Sequence, residues 1–181
     1  MKEYINKHTG KKFYVFGLGP SLQDVREVES DSIRIGVNDI LKHFKTDYIV
    51  CIDRMRSFSP ERFTMIYNNT VPMFTHLSER DLPYKGKRVN IELQEHRGEF
   101  FSIEKFAISY CSPFVAMQVA AKMGASEIVV CGVDLNNHKL NTRMRDMRYH
   151  FDELRQKLES QGIKVTSMSD PEGALKNYPR K

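Results

Sequence analysis

Four apolar runs in this chain stop at small or polar residues whose types could do chemistry together. Phe13-Tyr14-Val15-Phe16 runs into Gly17-Leu18-Gly19-Pro20-Ser21, and Ile33–Val37 into Asn38-Asp39. Tyr48–Ile52 ends at Asp53, and Ile128–Cys131 gives way to Gly132-Val133-Asp134, with Asn136 close behind. Glycine tolerates positive φ and lets a ligand approach the backbone. Pro20 or Ser21 suits a first helical turn, and the Ser21 hydroxyl can cap it or bond to an anion. A helix start there offers unpaired N–H groups and the positive end of the peptide dipoles, which together make a seat for a phosphate.

Neither common phosphate fingerprint is complete. The dinucleotide motif wants a third glycine where Leu22 stands, although Asp39, after the second run, keeps a nicotinamide or flavin alternative open. No Gly-Lys-Ser/Thr follows, so the turn is not a P-loop. Plain structural roles compete at every position. The glycine turn could bind nothing, Asn38 could cap the next helix, Asp53 could pair with Arg54 or Arg56, and Asp134 could satisfy backbone N–H groups in its own turn. His150 beside an apolar helical stripe could be packed or solvated, His138 and Arg143 could face a phosphate or water, and His96 lies in a polar loop.

The elements that must position these residues alternate. Strands are expected at Lys12–Phe16, Ile33–Val37, Tyr48–Ile52, Val71–Thr75, Arg88–Ile91, Ile128–Cys131 and Lys164–Thr166, with helices over Ser21–Glu29, Pro60–Tyr67, Pro113–Met123 and Asp146–Gln161. Continuous apolar strands separated by helices argue for an α/β fold: an open, doubly wound, mainly parallel Rossmann-like sheet. The whole chain, 1–181, reads as one nucleotide-binding domain. The polar, basic stretch from Asn136 to Arg145 is the core of a lid-like loop over residues 135–148. In such a sheet, ligands bind beyond the carboxyl ends of the strands, where the strand order reverses.

Composition narrows the classes. The chain has 181 residues, 40% of them hydrophobic, which is enough for one core. Its net charge of +5 suits anionic ligands, but without an aromatic ladder or knuckle spacing it gives no expectation of nucleic-acid binding. The three cysteines lack CxxC spacing, so they read as reduced core thiols in a cytoplasmic protein, and no zinc set is spaced for ligation. No signal peptide and no transmembrane segment is expected.

Taken together, Gly17-Leu18-Gly19-Pro20-Ser21-Leu22 and Val37-Asn38 resemble the opening of the small bacterial sialyltransferases that use CMP-sialic acid. They also resemble the motility accessory factors and the 6-hydroxymethylpterin pyrophosphokinases related to them. Ser112, then Gly124-Ala125-Ser126-Glu127-Ile128 and Gly132-Val133-Asp134, is similar to a second block of those families, and Phe151 to Ser169 to their last helix and strand. The resemblance implies a nucleotide or nucleotide-sugar ligand held by Gly17, Gly19, Ser21, Asn38, Ser112, Gly132, Asp134 and Asn136. It implies sugar transfer from a CMP-type donor to an acceptor hydroxyl, with His150 and Arg143 as catalytic groups and no cofactor. Leu18 stands where the family has asparagine, and Asn136-Asn137 where it has tyrosines. Two alternatives therefore accompany the transferase: a Mg²⁺-dependent pyrophosphokinase with the metal on Asp53 and Asp134, and a nucleotide-binding module without catalysis. Association into a homo-oligomer stays open.

Overall fold

A computed structural model describes residues 1–25, 27–95, 105–108, 111–134 and 143–168, with the backbone alone for Glu95 and residues 143–146. Seven strands form one all-parallel open sheet: β1 (Lys12–Phe16), β2 (Ile33–Val37), β3 (Tyr48–Val50), β4 (Met73–Thr75), β5 (Arg88–Asn90), β8 (Glu127–Cys131) and β9 (Lys164–Ser167). Their order is β5-β4-β3-β2-β1-β8-β9. The chain lays down β1 to β5 in one direction, then returns to place β8 against β1 with Val15 opposite Val130. The reversal therefore lies between β1 and β8. All seven expected strands are present, and the fold is the expected α/β class.

Alternation along each strand sends side chains to both faces. Phe13, Val15, Ile35, Val50, Ile128 and Val130 share one core with the helices α2 (Ser112–Lys122) and α3 (Arg143–Ser160), through Val115, Val119, Phe151, Leu154 and Leu158. Each such fully buried side chain contributes about 1.5–3 kcal/mol. On the opposite face, Ile49, Cys51 and Met73 meet Ile66 of α1 (Pro60–Asn68), while Tyr14, Phe16 and Cys131 are covered by Leu22, Val25 and Ile40. Helix α2 has Pro113 in its first turn and stops before Gly124, whose φ of 92° is one that glycine adopts freely.

Three expectations are corrected. The helix Ser21–Glu29 is absent; Pro20–Asp24 is a 3-10 segment, and Val25 is already extended. The reason is distance. Asp24 lies past the carboxyl end of β1, whereas Glu29 is held by Lys12, at the other end of that strand, at 2.5 Å. Five residues must span a five-residue strand, about 16 Å, which extended chain covers and a helix rising ~1.5 Å per residue does not. Second, Glu92–Glu95 (β6) and Lys105–Ile108 (β7) form a separate two-stranded parallel sheet. Third, residues 143–148 of the expected lid belong to α3 rather than to a loop. The rest of the expected lid, 135–142, lies outside the described residues.

Candidate functional site at the strand reversal

The two turns at the reversal are joined to each other. Gly17 N–H donates to Cys131 O at 2.8 Å and Gly19 N–H to Gly132 O at 2.7 Å, so the ladder continues past both strands. A Cβ on Gly17 would lie 2.3 Å from Gly132 O, and one on Gly19 would lie 2.2 Å from an Asp134 carboxylate oxygen. These glycines are required first by the neighbouring turn. Gly132, at φ 64°, fits against Gly17 and Leu22 in the same way.

Asp134 accepts from the Ser21 N–H at 2.8 Å. The amide that the sequence offers to a phosphate thus already faces an internal carboxylate, and the segment behind it is a five-residue 3-10 turn rather than an α-helix. The dipole at that point is correspondingly small. Helix α2 does start at the rim. Its far end is fixed below β1, where Gly10 N–H donates to Gly124 O at 2.8 Å, so Ser112 stands at the carboxyl rim. Cys111, just before it, is electrostatically coupled to Asp53 beyond β3.

Asn38 has φ 52°, a left-handed conformation that asparagine tolerates better than most residues. It does not cap the following turn; its side-chain amide points to Asp53 at 3.5 Å. Asp39 is engaged elsewhere. Arg62 of α1 donates to both of its carboxylate oxygens, at 2.6–3.0 Å, which leaves it no role as a dinucleotide acid. That bond raises the already high Arg62 pKa further.

Three of the residues expected at the site carry buried polar atoms without a partner among the described residues, Ser21 Oγ, Asn38 Oδ1 and Ser112 Oγ; Arg34 Nε, Thr46 Oγ1, Asn69 Nδ2 and Thr166 Oγ1, elsewhere in the fold, are in the same state. A buried hydroxyl or amide left unpaired costs about 1–3 kcal/mol, so such atoms call for an explanation, and a ligand is one. The His150 ring lies 6.5 Å from that of Phe114, in the first turn of α2, so His150 and Ser112 share a neighbourhood. Helix α3, with 18 residues, is about 27 Å long against ~16 Å of strand, and its amino end projects beyond the rim. Arg143 lies on that projecting end. Asn136, His138 and His96 lie outside the described residues.

The thiols are inert. Burial pushes Cys51, Cys111 and Cys131 up to about 12, and all three are free. Among the described residues no cluster of three or more metal-ligating side chains occurs, and no helix is long and apolar enough to cross a membrane. One residue that the sequence patterns do not single out is His76, directly after β4. Its place just past the end of a strand, which it shares with Asn38 and Asp53, is the signal that could have found it. His76 borders an open cleft of about 790 Å³ formed with residues 1–3 and 90–93, at the β4–β5 end of the rim and not at the reversal.

The fold is an α/β open sheet, all-parallel over seven strands, with its strand order reversing between β1 and β8; in open α/β sheets generally, ligands bind outside the carboxyl ends of the strands at such a reversal. Solved structures similar in fold include the sialyltransferase CstII from Campylobacter jejuni in complex with a substrate analogue, cytidine-5'-monophosphate. The likeness has a TM-score of 0.54 and 14% identity over 94% of this chain and 84% of that one. The same enzyme with CMP-3FNeuAc gives 0.53, and with a trisaccharide acceptor and CMP 0.52, both at 13% identity over 93% of this chain and 84% of that one. At this identity the likeness is one of fold. No protein-family model and no curated protein matches the sequence.

Proposed function

We propose that the protein binds a cytidine nucleotide at the β1–β8 reversal and transfers a sugar from a CMP-type donor to an acceptor hydroxyl. The observation that carries this reading is the set of unpartnered buried atoms, Ser21 Oγ, Asn38 Oδ1 and Ser112 Oγ, on elements that meet at this rim. The solved CMP complexes of CstII share the fold and add support. Two hydroxyls and one carbonyl oxygen suit the hydroxyl and amine groups of a nucleoside. Asp134, beside Ser21, adds a carboxylate acceptor for ribose hydroxyls. In this reading the amino end of α2, with Arg143 or Arg145 from the first turn of α3, carries the charge of the departing phosphate.

In the transfer, the acceptor oxygen bonds to the anomeric carbon as the bond from that carbon to the phosphate oxygen breaks. The electron pair leaves with the nucleoside monophosphate. His150 takes the acceptor proton. No metal is needed in this scheme, since basic side chains and the helix end carry the phosphate charge.

The test is a thermal shift with CMP, UMP and ATP, each with and without Mg²⁺, because a ligand that binds only the folded state raises the melting temperature. The expected result is a metal-independent response to CMP. A response confined to Mg²⁺-ATP would overturn the transferase in favour of pyrophosphoryl transfer. Asp134→Asn retains an oxygen that can accept from Ser21, so it should melt within a few degrees of the parent yet lose the CMP response. An unchanged response would leave Asp134 as a cap alone.

A further inference from the structure

Asn38 is the rim residue whose geometry most needs outside support. Its φ of 52° is a left-handed conformation that residues other than glycine hold at a cost. Its amide reaches Asp53 only at 3.5 Å, too long a contact to fix the side chain, so the backbone must set where the carbonyl oxygen lies. That backbone is held from both sides. Before it, Val37 is buried, and the Asn38 N–H donates to Val50 O at 3.2 Å. After it, Asp39 is buried with its carboxylate in the fork of Arg62. Arg62 Nε donates to Oδ1 at 3.0 Å and to Oδ2 at 2.9 Å, and Nη2 donates to Oδ1 at 2.6 Å.

This clamp exceeds what packing requires. Helix α1, which carries Arg62 in its first turn, is already docked by Ile66 against Ile49, Cys51 and Met73. The turn after β2 is already anchored by Ile40, which is fully buried, and the Asp39 side chain does not cap it. An ion pair with its carboxylate buried adds little net stability, because desolvation offsets the attraction. What a planar, two-pronged contact supplies is direction. It fixes the carboxylate in angle and plane, and with it the peptide unit between Asn38 and Asp39. Released, the carboxylate would turn towards water, that peptide would rotate, and Asn38 would leave the left-handed region. Arg62 is itself held: its N–H donates to Ser59 Oγ at 3.4 Å, and its guanidinium lies 5.3 Å from the centre of the Phe58 ring.

We propose that Arg62 is a positioning residue of the nucleotide site: its fork on Asp39 holds Asn38 in the left-handed conformation and so keeps the unpaired Asn38 oxygen in place for a ligand. The use of that oxygen by a nucleotide rests on the reading above; the hold on Asn38 does not.

The test compares the parent with Arg62→Lys and with the double variant Arg62→Met, Asp39→Leu. Three quantities are read on the full chain: the melting temperature, the Kd for CMP and, with isotope labelling, the NOE between the Asn38 N–H and its own Hα, which is strongest at positive φ. Lysine keeps the charge pair without the fork, and the double variant removes both charges, so neither leaves a buried carboxylate unpaired. Both should melt within a few degrees of the parent, lose the strong Asn38 NOE, and bind CMP about threefold to tenfold more weakly, the loss of one hydrogen bond. A role confined to stability gives the reverse: a lower melting temperature with the parental NOE and Kd. A strong NOE in either variant would overturn the proposal, as would a parental Kd after the NOE has gone. If the parent itself does not bind CMP, the nucleotide reading falls, and the NOE still decides whether Arg62 holds Asn38.

Discussion

At the scale of residues, Asn38 separates what the backbone needs from what a ligand would use. Its φ of 52° costs an ordinary L-residue roughly 1–2 kcal/mol, and glycine nothing comparable. Among the described residues its side chain contributes a long 3.5 Å contact to Asp53 and leaves a carbonyl oxygen buried without a partner. Asn38→Ala should therefore lower stability in urea unfolding by about 1 kcal/mol, whereas Asn38→Gly should stay within roughly half of that. Both should lose the melting response to CMP equally, since neither has the carbonyl. If the glycine variant responds to CMP like the parent, the unpaired oxygen has no part in the site.

At the scale of elements, Gln118 shows a side chain taking the place of a strand. It is fully buried on α2; its carbonyl accepts from Ala107 N–H and its amide donates to Ala107 O, both at 2.9 Å. β7 is thus paired with β6 and with a helix side chain. Gln118→Leu fills the same space but leaves both Ala107 groups unpaired, at a cost of about 2–4 kcal/mol. Hydrogen exchange should show the Ala107 amide opening while Val15 and Val130 remain protected; an equally slow Ala107 amide would show that the clamp is dispensable. Neither β7 nor its clamp was legible in the sequence. Lys105-Phe106-Ala107-Ile108 is too short to show an alternation, and a glutamine between Met117 and Val119 looks like a solvent position. The seven sheet strands were legible because burial on both faces demands unbroken apolar runs. Ser21, Asn38, Ser112 and Asp134 were legible as positions for a related reason, since each stands at the boundary of such a run or of a helix. The bond between Ser21 and Asp134 joins residues 113 apart and depends only on which strands become neighbours. The missing helix after β1 failed for a similar reason, because the Lys12–Glu29 pair fixes where the connection must end.

At the scale of the molecule, the parallel sheet accounts for the chain's behaviour towards alkali. Covering both faces buries the thiols of Cys51 and Cys131 as small apolar groups, while Cys111, at the start of α2, is half-buried as a residue with its thiol turned inward; each is pushed from 9.0 up to about 12. Above pH 9 the unfolded chain releases three protons that the folded chain retains, so stability is fully present below 9 and is lost as pH rises towards the folded values. The expected slope is about 1.4 kcal/mol per pH unit for each thiol, or about 4 for the three. Tyr48, pushed from 10.0 up to about 12 by burial, steepens the fall above its unfolded value. Lys122 acts in the opposite direction. Its ammonium lies 3.8 Å over the Phe106 ring and donates to Lys105 O at 2.5 Å, yet burial lowers it from 10.5 to about 8. Between those two values the fold releases a proton that the unfolded chain keeps, which returns about 1.4 kcal/mol per unit. Reversible melts under reducing conditions should therefore be nearly level, or rise slightly, from about pH 8 to 9 and fall steeply beyond. Cys131→Ala should melt lower at neutral pH because it opens a small cavity, but lose about one third of the thiol slope above pH 9. A parental slope in that variant would show that alkaline loss originates in groups other than the buried thiols.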